Sequence, residues 1–419
     1  MHSLPGSDDI TRVQLPNGLV VLSRANFNSP SVVINGYLMA GGILDPDERL
    51  GLADFTAACL MRGTRENSFQ EIYDLLESAG ASLGTGSGIH TTIFNGKALA
   101  EDLDLLLGLL AEALRHPVFP GAQVERLRAQ LLTGLAIRAQ DTGEMASLAF
   151  DQLVYPGHPY SRPEDGYPET IQAIRRDDLV DFHHRHYGPR GMVIAIVGAV
   201  DPHLAVDKAA RTLGDWHNLQ QNIPPELPGL VPLEKTLTRR VEIPGKSQAD
   251  IVMGAAGPAR HSPDFLAALL ANNVLGQFGM MGRIGQVVRE QAGLAYYASS
   301  SLSGGIGPGP WGISAGVDPA NVDKAIELIQ REVARFTAGP VSEAELADSQ
   351  ANFIGRLPLS LESNGGVAAA LINLEKYQLG LDYYRQYPGL VHSVSTEILL
   401  ETTRRYLDPD RLAIAVAGP

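Results

Sequence analysis

Apolar residues fall at Leu52, Phe55, Cys59 and Leu60, with small or polar residues between them. That spacing predicts one short helix in the stretch Gly51-Leu-Ala-Asp54-Phe-Thr-Ala57-Ala58-Cys-Leu-Met-Arg-Gly63-Thr64, with Gly63 where a left-handed stop belongs. Residues 54 and 58 are one turn apart on it and share a face. Upstream, residues 13–22 predict a hairpin turning at Pro16-Asn17-Gly18, and residues 31–39 a β-rich run that breaks at Gly41-Gly42. Downstream, Ser68 and Glu71 form a capping-box pattern for a helix stopped near Gly80. Two strands flank Gly88, an apolar helix over 101–115 ends before Pro117, and residues 121–145 read as one long amphipathic helix. The loop Tyr155-Pro-Gly-His158-Pro-Tyr160 leads to a helix at 176–186 and a buried strand at 192–197.

That last piece recurs. Residues 171–198 align without a gap on 391–418, with identities at Leu179/Leu399, Arg185/Arg405, Pro189/Pro409, Ile194/Ile414, Ala195/Ala415 and Gly198/Gly418. Each copy reads helix, turn, buried strand, and a gapless match half a chain apart points to duplication. Between the copies lies a proline-rich, semi-stiff connector at 222–232. The expected organisation is an N-terminal domain over 1–220, a linker over 221–235 and a C-terminal domain over 236–419. The second half restarts with strands at 236–243 and 249–254, then a helix from Ser262-Pro263 to Gly276. A hairpin of 296–302 and 311–317 follows, then helices at 319–337, 342–356 (capping box Ser342 with Glu345) and about 364–379. Strands and helices alternate irregularly, which predicts an α+β fold of two duplicated domains, each an antiparallel sheet packed with helices.

The length of 419 residues agrees with two domains, and 44% apolar residues suffice for packed cores. A net charge of −14 argues against nucleic acid or an anionic membrane as partner, since both would be repelled. Cys59 is the only cysteine, so neither an internal disulfide nor a cysteine zinc site can form. The N-terminal residues lack the basic start and apolar core of a signal peptide, and no apolar run reaches the roughly 18 residues of a membrane span. The expected location is the cytoplasm.

A second informative stretch runs Leu275-Gly-Gln-Phe-Gly-Met-Met-Gly282-Arg-Ile-Gly-Gln-Val-Val-Arg289-Glu-Gln-Ala-Gly-Leu-Ala-Tyr296. A glycine-rich loop leads to a short helix carrying Arg289 and a turn into a strand beginning at Tyr296. Arginine supplies forked donors for a carboxylate or peptide carbonyl, and a tyrosine hydroxyl can donate to an oxyanion. On residue chemistry alone, a surface arginine and a strand aromatic explain the pair as well.

Taken together, Gly51-Leu-Ala-x-Phe with Leu60-x-x-Gly63-Thr64, Arg289-Glu-x-x-Gly-Leu-Ala-Tyr296 and Tyr155-Pro-x-His158-Pro-Tyr resemble the pitrilysin-type (inverzincin, HxxEH) zinc metallopeptidases, mitochondrial processing peptidase among them. The resemblance spans the duplicated halves and implies the LuxS/MPP-like metallohydrolase fold in a clamshell arrangement. It also implies zinc-binding histidines at 54 and 58, a glutamate base at 57 and a third, glutamate ligand near 134. Here those positions hold Asp54, Ala58, Ala57 and Gly134. A zinc site needs at least three well-placed ligands, and Ala57 cannot deprotonate water. No catalytic residue, metal ligand or cofactor is therefore expected in this chain.

The pattern resembles the non-catalytic subunit of heterodimeric family members. That implies a partner subunit with intact HxxEH carrying the zinc, a peptide substrate, and substrate-binding roles for Arg289 and Tyr296. Two other readings stay open. One is a binding or scaffold protein of the same fold, like core subunits of respiratory complexes. The other is an enzyme using His183-His184-Arg185-His186, although the second copy has Thr403, Arg404 and Tyr406 there, as a solvated helix end would allow. Asp54 is expected to cap backbone or pair with an arginine, His158 to stabilise its loop, and Cys59 to fill core space.

Overall fold

The computed structural model describes residues 4–419, the Met280 side chain apart. Six strands make the first sheet: β1 (Thr11–Gln14), β2 (Val20–Ala25), β3 (Ser31–Leu38), β4 (Ser82–Ser87), β5 (Thr92–Leu99) and β6 (Val193–Gly198), in the order β1-β2-β6-β3-β5-β4. The second sheet contains β7 (Leu237–Glu242), β8 (Ala249–Ala256), β9 (Ala295–Leu302), β10 (Pro310–Val317) and β11 (Ala413–Gly418), in the order β7-β11-β8-β10-β9. Neighbours are antiparallel except for one parallel pair in each sheet, β2 with β6 and β7 with β11. The α+β fold thus holds, with a parallel pairing that alternation alone did not reveal. β6 and β11, the strands of the repeated segment, are buried at every position, as befits apolar runs covered on both faces.

The helices that matter here are α1 (Leu52–Cys59), α2 (Gly121–Arg138), α3 (Thr142–Val154), α4 (Arg176–His186), α5 (Phe265–Gly276), α6 (Phe278–Gly285), α7 (Glu343–Ser360), α8 (Asn364–Lys376) and α9 (Thr396–Tyr406). The expected single helix over 121–145 is two. The chain turns at Gln140, and the Asp141 carboxylate accepts the Glu144 N–H at 2.9 Å to cap α3 afresh. The capping box at Ser68 and Glu71 closes in both directions, at 2.8 and 3.3 Å.

Two compact units result, and they are not the linear halves 1–220 and 236–419. One gathers residues up to 135 with 163–226 and 357–386; the other gathers 136–162, 227–356 and 387–419. Accordingly α3, from the first half, packs on β8 and β11, whereas α8, from the second half, packs on β3 and β6. Each helix buries an apolar face, such as Ala146, Ala149, Phe150 and Val154 on α3. Hydrophobicity demands a sheet for that face and does not say which. In the first unit, α1 lies against α4 and β4, with Phe55, Cys59 and Leu60 fully buried in the core. Residues 221–233 carry no regular secondary structure.

Candidate functional site

The vacant helix is built with care. Gly51 adopts φ +90°, and a Cβ there would meet the Asp165 carbonyl oxygen at 2.9 Å, so glycine is required. With glycine at the N-cap, the orphan N–H groups of the first turn need another acceptor. Buried Asp45 supplies it: its two carboxylate oxygens accept the N–H groups of Gly51 and Ala53, each at 2.9 Å. No feature of the sequence near Gly51 singles out Asp45. On the opposite side, the Thr85 hydroxyl donates to the Ala57 carbonyl at 2.8 Å and ties α1 to β4.

Asp54 and Ala58 are half-buried on this helix and Ala57 is fully buried. The Asp54 carboxyl neither caps backbone nor meets an arginine among the described residues; its charged neighbours are Asp165 and Glu164. Burial, followed by those two like charges, pushes its pKa up to about 6. Burial likewise raises Glu164. Position 134 lies on α2 as an exposed glycine with open space around it. Helix α1 thus presents one carboxylate and two methyl groups, and α2 a bare Cα. This donor set does not fit zinc, which needs at least three N, S or O ligands. Among the described residues no three His, Cys, Asp or Glu side chains gather as a metal site would require.

The second constellation is differently equipped. After α6 the chain forms a π-helical turn, Gln286–Gln291, closed by Gly293 at φ +65° and a bond from the Leu294 N–H to the Val288 carbonyl at 3.1 Å. Arg289 stands half-exposed on that turn, and its guanidinium has no hydrogen bond or ion pair with a described residue. Arg283, one and a half turns earlier, contrasts with it. Arg283 meets both oxygens of Glu345 at 2.8 Å and lies 5.1 Å over the Phe336 ring, so it is committed to packing. Tyr296 follows on β9, an edge strand, and is 73% exposed.

That exposure has a cause in the register. Gly316 of β10 faces Tyr297, and Val317 faces Ala295, so Tyr296 is an extra residue without a partner. Strict alternation would turn Tyr296 to the same side as buried Ala298 and Ser300. The bulge re-aims it outward.

The histidine cluster does other work. His183 Nε2 donates to the Leu114 carbonyl, 2.8 Å away, and burial pushes its pKa down to about 4. His186 rests against Phe182, ring centroids 4.6 Å apart, and burial lowers it to about 4 as well. Among the described residues neither ring belongs to a group of three side chains that could hold a metal. His158 accepts the Tyr160 N–H on Nδ1 at 3.1 Å, and the Tyr160 hydroxyl accepts the Gly307 N–H at 2.9 Å, pinning the β9–β10 hairpin tip. Its role is to hold its loop. Cys59 is a fully buried core residue whose thiol is pushed up to about 12.

The family model "Insulinase (Peptidase family M16)" matches residues 20–153, which include α1 and Gly134. The model "Peptidase M16 inactive domain" matches residues 173–353, which include Arg289 and Tyr296. The chain belongs to peptidase family M16. Within the family, a zinc protease of Streptomyces coelicolor is 25% identical over 371 residues, covering 86% of this chain and 79% of that one. The β subunit of mitochondrial-processing peptidase from Saccharomyces cerevisiae is 25% identical over 371 residues, covering 84% and 79%. The crystal structure of a peptidase M16 inactive domain from Pseudomonas fluorescens superposes with a TM-score of 0.91 at 25% identity, covering 98% of each chain. The M16 fold is therefore present, while Asp54, Ala57, Ala58 and Gly134 do not make a donor set for zinc.

Proposed function

We propose that this M16 chain is the non-catalytic subunit of a two-chain zinc peptidase. In this reading a partner with an intact HxxEH helix holds the zinc, which polarises the peptide carbonyl and activates water. This chain supplies Arg289 and Tyr296. The observation that carries the reading is the contrast between the two constellations. The helix for metal chemistry keeps its frame and lacks its donors, while Arg289 is unpaired among the described residues and Tyr296 is thrown into solvent by a bulge.

The chemistry assigned to each follows from its atoms. The Arg289 guanidinium offers a planar fork of donors that suits a peptide carbonyl or a terminal carboxylate. The Tyr296 phenol is a single donor that strengthens its bond as the scissile carbonyl oxygen gains charge. A positioned donor of this kind contributes on the order of 10²-fold to rate.

Purification of the tagged chain from its native host, with mass spectrometry of what accompanies it and zinc quantified, tests the reading. One HxxEH-bearing chain in equal amount, with the zinc confined to it, is expected. An assembly without any HxxEH chain would instead favour a scaffold role.

A further inference from the structure

Tyr296 is presented by a side-chain lock three strands wide. Asp250 on β8, Gly316 on β10 and Tyr297 on β9 lie in one row across the sheet, since Gly316 pairs with both neighbours. The Tyr297 ring crosses over Gly316, and its hydroxyl donates to Asp250 Oδ1 at 2.6 Å. Gly316 makes the crossing possible: a Cβ there would stand 2.5 Å from Tyr297 Cε1 and 3.0 Å from Asp250 Oδ1. Asp250 is 3% exposed, and a buried carboxylate needs several donors. It has them in the Tyr297 hydroxyl, the Gln248 amide at 3.0 Å, and the Thr142 hydroxyl on the first turn of α3.

We propose that Asp250 and Tyr297 are positioning residues for Tyr296, fixing the β9 bulge so that the adjacent phenol faces outward for substrate. A strand with one unpaired residue can slip by one position, and such a slip would exchange the faces of Tyr296 and Tyr297. The bond from Tyr297 to the buried Asp250 carboxylate fixes which of the two tyrosines stands opposite Gly316, and so leaves Tyr296 as the extra, outward residue. The bond therefore acts on a neighbour whose hydroxyl has no partner among the described residues. This inference rests on the proposed role of Tyr296 as a transition-state donor, and the positioning step can be measured without it.

Two readouts separate the two ideas. On the purified chain, Tyr297→Phe keeps the ring and deletes only the donor, and Asp250→Asn keeps the volume. Both variants should speed hydrogen exchange of the amides at 294–298 by about tenfold, with exchange elsewhere in the unit unchanged. Unchanged exchange in both variants overturns the proposal. In the copurified pair, Tyr297→Phe should lower kcat by about tenfold with KM held, and should cost nothing further in a Tyr296→Phe background. Additive losses in that cycle, which a merely structural role would give, overturn it as well. Faster exchange together with a silent Tyr296→Phe would uphold the lock and defeat the proposed function instead.

Discussion

Arg283 and Glu345 meet through two parallel bonds of 2.8 Å, and the same carboxylate accepts the Ser342 N–H at 2.9 Å as the cap of α7. The Arg283 bonds, with the Ser342 N–H and hydroxyl, hold Glu345 down to about 2, below its ordinary 4.5. A carboxyl depressed by folding stabilises the native state above its unfolded pKa and loses that contribution as pH falls through the folded one. Glu345→Gln should therefore lower the melting temperature at neutral pH. The gap from wild type should close as pH drops from about 4.5 to about 2. Melts monitored by circular dichroism across that range check it, and a constant gap would contradict the pairing.

Asp54 carries the opposite sign. Its carboxyl is raised from 3.8 to about 6, so folding disfavours the ionised form and stability declines as pH rises between those values. Asp54→Asn should stabilise the chain at pH 8 by on the order of 2 kcal/mol, with the gain vanishing at the acid end of that window. Denaturant titrations at pH 8 and pH 4 would show it. Equal stabilisation at both would mean that the carboxyl is not confined as described.

Gly316 leaves room for a ring. Gly316→Ala would set a methyl 2.5 Å from Tyr297 Cε1 and 2.6 Å from the Gln248 amide, so the row must spread. A loss of about 1–3 kcal/mol is expected from overpacking of this kind. Urea unfolding measures it, and an unchanged midpoint would refute the close approach.

Much of this fold could be read in the chain, and the missing parts share a cause. The repeated segment forecast β6 and β11 correctly, because a buried strand writes its burial into every residue. The helix at 176–186 and the boxes at Ser68 and Ser342 were equally legible, being local in sequence. The exchange of α3 and α8 was not, since an apolar stripe carries no address. Asp45 escaped notice because it caps a helix six residues further on, and Asp250 because its partner Tyr297 is 47 residues away. Alternation in β9 would even have turned Tyr296 inward; only the register with β10 shows otherwise. The acidic neighbours of Asp54 were not legible, since Glu164 and Asp165 lie more than a hundred residues along the chain.

The central claim is a division of labour between a chain with donors and a chain with metal. Steady-state kinetics of the copurified pair carrying Arg289→Ala or Tyr296→Phe tests it most directly, with size-exclusion chromatography confirming that the pair stays together. The expected result is a fall in kcat/KM of about 10²-fold for each variant in an intact complex. Wild-type turnover in both variants would contradict the account.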